Sequence, residues 1–551
     1  VGSLFLQGSA APGAACKRRD TQMQQFSGRA AAPGLAQGSV VWFAETACGK
    51  TPQGTPAQEL EKFRLAREDC TRRQAQLYQA AREQAGEEAA AIFELHGMLL
   101  QEDLEEYVRP YIEQGKPAAE AARLGMKDVG ALFAALEDDY MRQRSEDMAE
   151  LGEELAAAIE GGAAPTLSRP AILAARQLFP GQAVSLPKGL LLGVVLQKGG
   201  AQSHMAILAR SMGIPLIFCP EAGPDWHGRT ALLNGGTGGI VLDPDEARQA
   251  AYAQSARALA RQTALLESYR GKPTRTANGQ SVALLANIGG MADLPTLQTS
   301  DAEGVGLLRS EFLYLESPNW PTENAQYAAY CAALRALPGK PVTLRTFDLG
   351  ADKTAPYMHL PACANPEMGC RGLRFGLQNP HLLKTQLRAA LRAAACGPLG
   401  IMFPMVCTPD ELDKALALLE ECRAELAAEG TAFGKAAVGC MVETPAAVLY
   451  AAELARRCAF LSIGTNDLHQ YTFASEREGE ALYAAADPAL LRLVGMTVQA
   501  AHAQGCRVNV CGQLAADPAA TRALLALGVD GLSVPPGQVL AMRRHIADIT
   551  V

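Results

Sequence analysis

The sequence predicts a multidomain α/β protein: a small α/β module with an inserted α-helical bundle, followed by a (β/α)8 TIM barrel. Three observations predict it. Beyond Thr274, eight apolar runs are separated mostly by helical segments, the alternation expected of a (β/α)8 barrel. Residues 55–161 are rich in Ala, Glu, Gln, Leu and Arg at helical spacing, with Pro110 and Pro117 the only prolines after Pro56. On both sides of that block stand short apolar runs bounded by turn residues. A chain of 551 residues exceeds the roughly 250–300 at which single cores stop growing, so several domains are expected.

In chain order, residues 1–22 are small, polar and basic (Lys17, Arg18, Arg19) and read as a disordered extension. Gly34 to Phe43 reads as a turn and strand. The helical block, 55–161, ends at Gly161-Gly162-Ala163-Ala164-Pro165. Apolar runs at Leu190–Leu196, Leu216–Phe218 and Gly239–Leu242 then resume the small module, which is therefore discontinuous, 23–54 and 162–244. Residues 245–273 form a polar linker helix with an Ala/Leu stripe. The barrel, 274–551, takes its strands from Val282–Ile288, Gly304–Leu308, Val342–Phe347, Ile401–Val406, Val438–Val442, Phe460–Ile463, Val508–Cys511 and Leu532–Val534.

Composition narrows the function classes. A formal charge of −8 argues against nucleic acid or an anionic membrane as main partner. Apolar runs fall short of the roughly 20 residues that span a bilayer, so no membrane insertion is expected. The 14 cysteines include no Cys-x-x-Cys pair, and Cys219, Cys407, Cys440 and Cys511 lie in or beside strand-like runs. Reduced thiols in a cytoplasmic protein are expected.

Two constellations carry chemistry. Gly199-Gly200 delivers His204 to the start of an apolar helical run, a placement that suits a phosphoryl-accepting nucleophile. In a barrel, the polar residues after each strand gather on one face; here they are Asn287, Arg309, Arg345, Glu443, Asn466, Asp467 and Cys511, with Arg371 in a loop. Clustered guanidinium groups match phosphate and carboxylate. Glu443 and Asp467, from adjacent strands, suit Mg²⁺, whereas zinc lacks a His/Cys cluster.

These segments resemble a known family. Gly199-Gly200-x-x-Ser203-His204-x-Ala206-Ile207-x-Ala209-Arg210 matches all eight fixed positions of the phosphohistidine pattern of the phosphoenolpyruvate-utilising enzymes. Glu303–Phe312, Arg345–Lys353, Asn365–Arg371, Val442–Ala447 and Ser462–Asp467 are similar to segments of the phosphoenolpyruvate-protein phosphotransferases, enzymes I of the bacterial sugar phosphotransferase system. The resemblance covers about Phe26 to Ile549. It implies His204 as phosphoryl acceptor in a swivelling domain. It implies Mg²⁺ on Glu443 and Asp467, and phosphoenolpyruvate clamped by Arg309, Arg345, Lys353, Arg371, Asn466 and Arg477. Cys511 would be the acid that makes pyruvate. It also implies docking of a small histidine-containing phosphocarrier protein on the helical block, and a homodimer through the barrel.

The chain departs from the family pattern at several points. Gln202 replaces a hydroxyl residue, Gly181 and Ala183 replace two more, and Gln513 replaces a glutamate. His469 and Ala351 are further changes, and the chain ends short of the usual C-terminus. Loss of the carboxylate at 513 predicts a thiolate-like, rapidly alkylated Cys511. Two alternatives follow: a catalytically weakened regulatory paralogue, and a phosphoenolpyruvate synthase or dikinase, for which no nucleotide-binding domain is visible before His204.

Overall fold

The computed structural model describes residues 23–44, 54–85, 87–101, 104–134, 139–161, 165–187, 189–200, 203–315, 317, 319–350, 353, 355–358, 365, 368–475 and 484–551. Two compact units divide the chain, 1–133 with 144–259, and 134–143 with 260–551.

The first unit is built on an eight-stranded sheet: β1 (Gln24–Ser27), β2 (Arg29–Ala32), β3 (Leu35–Phe43), β4 (Ala171–Ala175), β5 (Leu191–Leu196), β6 (Leu216–Phe218), β7 (Thr230–Asn234) and β8 (Gly239–Leu242). Its order is β1-β8-β7-β3-β4-β5-β6-β2, with β3 to β6 parallel. Strand β4 is buried along its whole length, as a central strand covered on both faces must be. Among the described residues, five helices intervene between β3 and β4: α1 (Pro56–Ala85), α2 (Glu87–Leu99), α3 (Glu105–Glu113), α4 (Ala118–Ala134) and α5 (Asp139–Glu160). Phe63, Leu100, Val108, Met126, Met148, Leu151 and Leu155 fill a core of their own among these helices. Two short helices return to the sheet, α6 (Pro180–Val184) and α7 (His204–Met212). Helix α8 (Glu246–Glu267) buries none of its residues, consistent with its polar composition.

The second unit is a closed barrel of eight parallel strands: β9 (Ala283–Ile288), β10 (Val305–Leu308), β11 (Val342–Arg345), β12 (Leu399–Phe403), β13 (Ala437–Val442), β14 (Phe460–Gly464), β15 (Arg507–Cys511) and β16 (Gly531–Val534). All eight apolar runs of the sequence are barrel strands. Inside, Leu307, Met402, Met441 and Cys511 form a small buried cluster with Phe460 against it. The Phe460 ring lies where other side chains would be: a Cβ at Gly439 would stand 2.4 Å from it, and one at Gly400 3.3 Å. Close packing thus plugs the barrel axis between its two ends. No helix among the described residues is long and apolar enough to cross a membrane.

Candidate active site

The C-terminal end of the barrel opens into a cavity of about 920 Å³ lined by Asn287, Arg309, Arg345, Lys353, Glu443, Asn466, Asp467 and Cys511, among others. Each follows from its strand. Arg345 ends β11 and Cys511 ends β15, Arg309 and Glu443 come one residue after β10 and β13, and Asn466 with Asp467 opens the helix after β14. Arg371 is not on the lining. It stands behind it, its Nη1 3.4 Å from an Asp467 oxygen and 3.4 Å from the Tyr471 hydroxyl. Arg477 lies outside the described residues.

The cations are held by two buried acids that sequence reasoning missed. Asp348 accepts from Arg371 Nη2 at 2.7 Å and Lys353 Nζ at 3.1 Å, with Arg345 Nη1 at 3.7 Å. These three cations overcome its burial and hold its carboxyl well below the usual carboxylate range. Glu311 accepts from Arg345 Nη2 at 2.9 Å and from the Asp348 backbone N–H at 2.7 Å. Both acids sit inside the segments Glu303–Phe312 and Arg345–Lys353; an acid three residues after Arg345 was the available signal. A buried polar relay supports them from below. Gln386 donates to Ser310 Oγ and to the Tyr330 hydroxyl, each at 3.0 Å, and accepts from the Phe347 backbone N–H at 2.9 Å.

Glu443 is differently placed. One oxygen accepts from the Met405 backbone N–H at 2.6 Å, while the other is buried with no hydrogen-bond partner among the described residues. Met405 itself has φ 54°, a strained value for a residue with a side chain. Burial, reinforced by the like charges of Asp467 and Asp348, pushes the Glu443 carboxyl up to about 8. A buried, under-bonded carboxylate beside a second one fits a hard divalent cation.

Cys511 corrects an expectation. Its Sγ accepts from Ser462 Oγ at 3.6 Å and donates to the Ile463 carbonyl at 3.4 Å. Burial pushes the thiol up to about 11; the Ser462 hydroxyl opposes the rise, Glu443 adds to it, and Arg345 and Arg309 oppose it more weakly. The thiol is therefore protonated near neutrality rather than thiolate-like. Its alkylation by iodoacetamide at neutral pH is expected to be slow, at least about tenfold below a small free thiol, and to accelerate with rising pH. Peptide mass spectrometry across a pH series measures this.

In the first unit, His204 is the first residue of α7, half-buried, with Ser203 as N-cap: its hydroxyl accepts from the Ala206 N–H at 3.4 Å. Gly199 adopts φ 130°, which a side chain would resist, and its carbonyl accepts from Arg29 Nη2 at 2.6 Å. A Cβ at Gly181 would stand 2.7 Å from Leu77 Cδ1, the end of a side chain of α1. Ala183 is fully buried. Gln202 and Ala351 lie outside the described residues. His96, on α2, is buried beside Glu154, its Nδ1 4.0 Å from a carboxylate oxygen.

The family model of the PEP-utilising enzyme PEP-binding domain matches residues 263–551, that of the N-terminal domain 27–144, and that of the mobile domain 167–238. The phosphoenolpyruvate-protein phosphotransferase of Staphylococcus carnosus is 37% identical over 482 residues, 85% of this chain and 84% of its own. Its counterpart in Enterococcus faecalis is 35% identical over 538 residues, 94% of this chain and 93% of its own. That of Listeria monocytogenes is 34% identical over 536 residues, 95% and 94%. The chain is an enzyme that belongs to the PEP-utilising family and, within it, to the phosphoenolpyruvate-protein phosphotransferases.

Proposed function

We propose that this enzyme transfers the phosphoryl group of phosphoenolpyruvate to His204, releases pyruvate, and passes the phosphoryl group to a small histidine-containing phosphocarrier protein, as the first step of phosphotransferase-system sugar uptake. One observation carries the reading. Arg309, Arg345, Lys353, Glu443, Asn466, Asp467 and Cys511, far apart in sequence, line one cavity. Three cations there, with Arg371 behind them, match a substrate that carries both a carboxylate and a phosphate.

The roles divide by chemistry. Arg309, Arg345, Lys353, Asn466 and Arg477 bind and orient the anionic groups, while Arg371 fixes Asp348 and Asp467. PEP-utilising enzymes use a divalent metal, and here Mg²⁺ on Glu443 and Asp467 would draw negative charge from the phosphoryl oxygens. His204 supplies the in-line nucleophile as a neutral imidazole at a helix N-terminus, where its phosphorylated form is favoured. The Cys511 thiol then protonates the enolate carbon to give pyruvate. Replacing Cys511 with alanine should spare phosphorylation of His204 but slow free pyruvate about a hundredfold, as read by a coupled dehydrogenase assay.

The remaining assignments follow the same reading. Residues 23–54 and 162–244 form the swivelling phosphohistidine domain, 245–273 its arm, and 55–161 the carrier-docking domain, on which Leu65, Met98 and Leu132 are exposed. Leu449, Tyr450 and Met496 are exposed on the barrel and support a homodimer. The protein acts in the cytoplasm, without nucleic acid.

Metal binding should depend on pH. Glu443, pushed up to about 8, must lose its proton to hold a divalent cation. Mg²⁺ affinity is therefore expected to rise from about pH 6 to pH 8 and then level, with up to one proton released per ion at neutral pH. Calorimetry in buffers of different ionisation enthalpy reads the released proton.

The deciding test is incubation with phosphate-labelled phosphoenolpyruvate and Mg²⁺. Acid-labile label on His204 that a phosphocarrier can discharge supports the proposal, and absence of label on histidine ends it. The reading as a weakened paralogue draws on Gly181 and buried Ala183, where the family has hydroxyls. Stoichiometric label that forms at a rate far below turnover in the relatives would favour it.

A further inference from the structure

Away from the cavity, two cysteines stand together on the barrel's outer layer. Cys331 lies in the helix Glu323–Ala336 and is buried; Cys396 lies between the helix Pro380–Ala393 and β12 and is exposed. Their sulfurs are 2.8 Å apart, nearer than two unbonded sulfurs rest and within a small rotation of the roughly 2.05 Å of a disulfide. The pairing joins residues 65 apart in sequence, so it is set by the fold rather than by chain proximity. The two helices are clamped by Glu323, which takes Arg388 Nε at 2.8 Å and Arg392 Nη1 at 2.6 Å.

The surroundings give the two thiols different roles. The Tyr327 hydroxyl is 3.8 Å from Cys396 Sγ, and the Arg392 guanidinium lies over the Tyr327 ring at 4.5 Å. Cys396 thus meets solvent next to the Tyr327 hydroxyl. Cys331 is buried, 1% exposed, and so is shielded from a reagent in solution. Burial, with the neighbouring Cys396 sulfur, pushes the Cys331 thiol up to about 11 against smaller opposing effects of the Tyr327 hydroxyl and Arg335.

We infer that Cys331 and Cys396 are a reversible oxidation site, with exposed Cys396 as the attacking thiol, buried Cys331 as the resolving thiol, and a low-molecular-weight disulfide as oxidant. The Cys396 thiolate attacks one sulfur of glutathione disulfide, forming a mixed disulfide and expelling one glutathione thiolate. Cys331 then attacks the Cys396 sulfur, forming the protein disulfide and expelling the second glutathione. Two protein thiols lose two electrons and two protons, and one glutathione disulfide becomes two thiols. Neither cysteine touches the cavity, so the site is independent of phosphoryl transfer.

The reduced full chain is exposed to glutathione disulfide, free thiols are blocked with iodoacetamide without unfolding, and peptides are identified by mass spectrometry. The expected product is a Cys331–Cys396 disulfide peptide, lost on treatment with dithiothreitol, with Cys511 still reduced. Cys396→Ser should leave Cys331 unmodified and the phosphotransferase rate unchanged, while Cys331→Ala should trap a glutathione adduct on Cys396. A lasting adduct on Cys396 of the unsubstituted protein, pairing of either residue with another cysteine, or both thiols remaining free would overturn the inference.

Discussion

Replacing His204 with alanine is expected to reduce acid-labile phosphorylation to background while phosphoenolpyruvate binding changes by less than about twofold. The two effects separate because His204 begins α7 in one compact unit, whereas the cations that line the cavity belong to the barrel unit. Truncation to a methyl group would remove the proposed phosphoryl acceptor outright, since the alanine side chain carries no nucleophilic atom. The α7 cap does not depend on it, since the Ser203 hydroxyl and the Ala206 N–H make that contact. Phosphate-labelled substrate with acid-lability analysis measures the first effect, and calorimetric titration of phosphoenolpyruvate measures the second. Stoichiometric phosphohistidine in the variant would remove His204 from its role.

Glu443→Gln should lower turnover about 10³-fold, the scale of charge stabilisation that a divalent cation supplies. The same substitution should make the metal-free protein more stable. Glu443 is raised from its ordinary value to about 8 in the folded state by burial and by Asp467 and Asp348. The sign follows from linkage. A carboxyl raised on folding favours the folded state most below its unfolded pKa, and that advantage is lost as pH rises through about 8. Near neutrality folding must therefore take up a proton or bury a charge, and the neutral amide avoids both. Thermal unfolding at neutral pH should show a higher midpoint for Glu443→Gln without metal. Added Mg²⁺ should raise the midpoint of the unsubstituted protein and leave the variant unmoved. A variant less stable than its parent in the absence of metal would contradict this account.

The architecture was legible in the sequence because its signals are local and repeated. Each barrel strand is a short apolar run between helical segments, and the five helices between β3 and β4 share one composition. The site was legible where a residue's position at a strand end decides its direction, as for Arg345, Glu443 and Cys511. It was less so where a third dimension intervenes. Asp348 lies in a segment whose flanking Arg345 and Lys353 drew the eye, yet its three-cation grip includes Arg371, 23 residues further on. Cys511 was misjudged because the change at Gln513 is a sequence neighbour, whereas the thiol's acidity is governed by enclosure within the barrel. Gly181 reads as a lost hydroxyl in sequence, whereas in the fold the end of Leu77 from α1 lies over it.

Phe460, Met402, Met441 and Leu307 close the axial route through the barrel. Under the proposed function, pyruvate made at the C-terminal end cannot drain toward the opposite end, so it would leave by the open end of the barrel, the side on which a phosphoryl acceptor would have to enter. On that reading acceptor and departing product would share one doorway, and traffic through it would run in turns. Steady-state kinetics of this enzyme should carry that order as a ping-pong pattern, with pyruvate competing against fresh phosphoenolpyruvate for the emptied pocket.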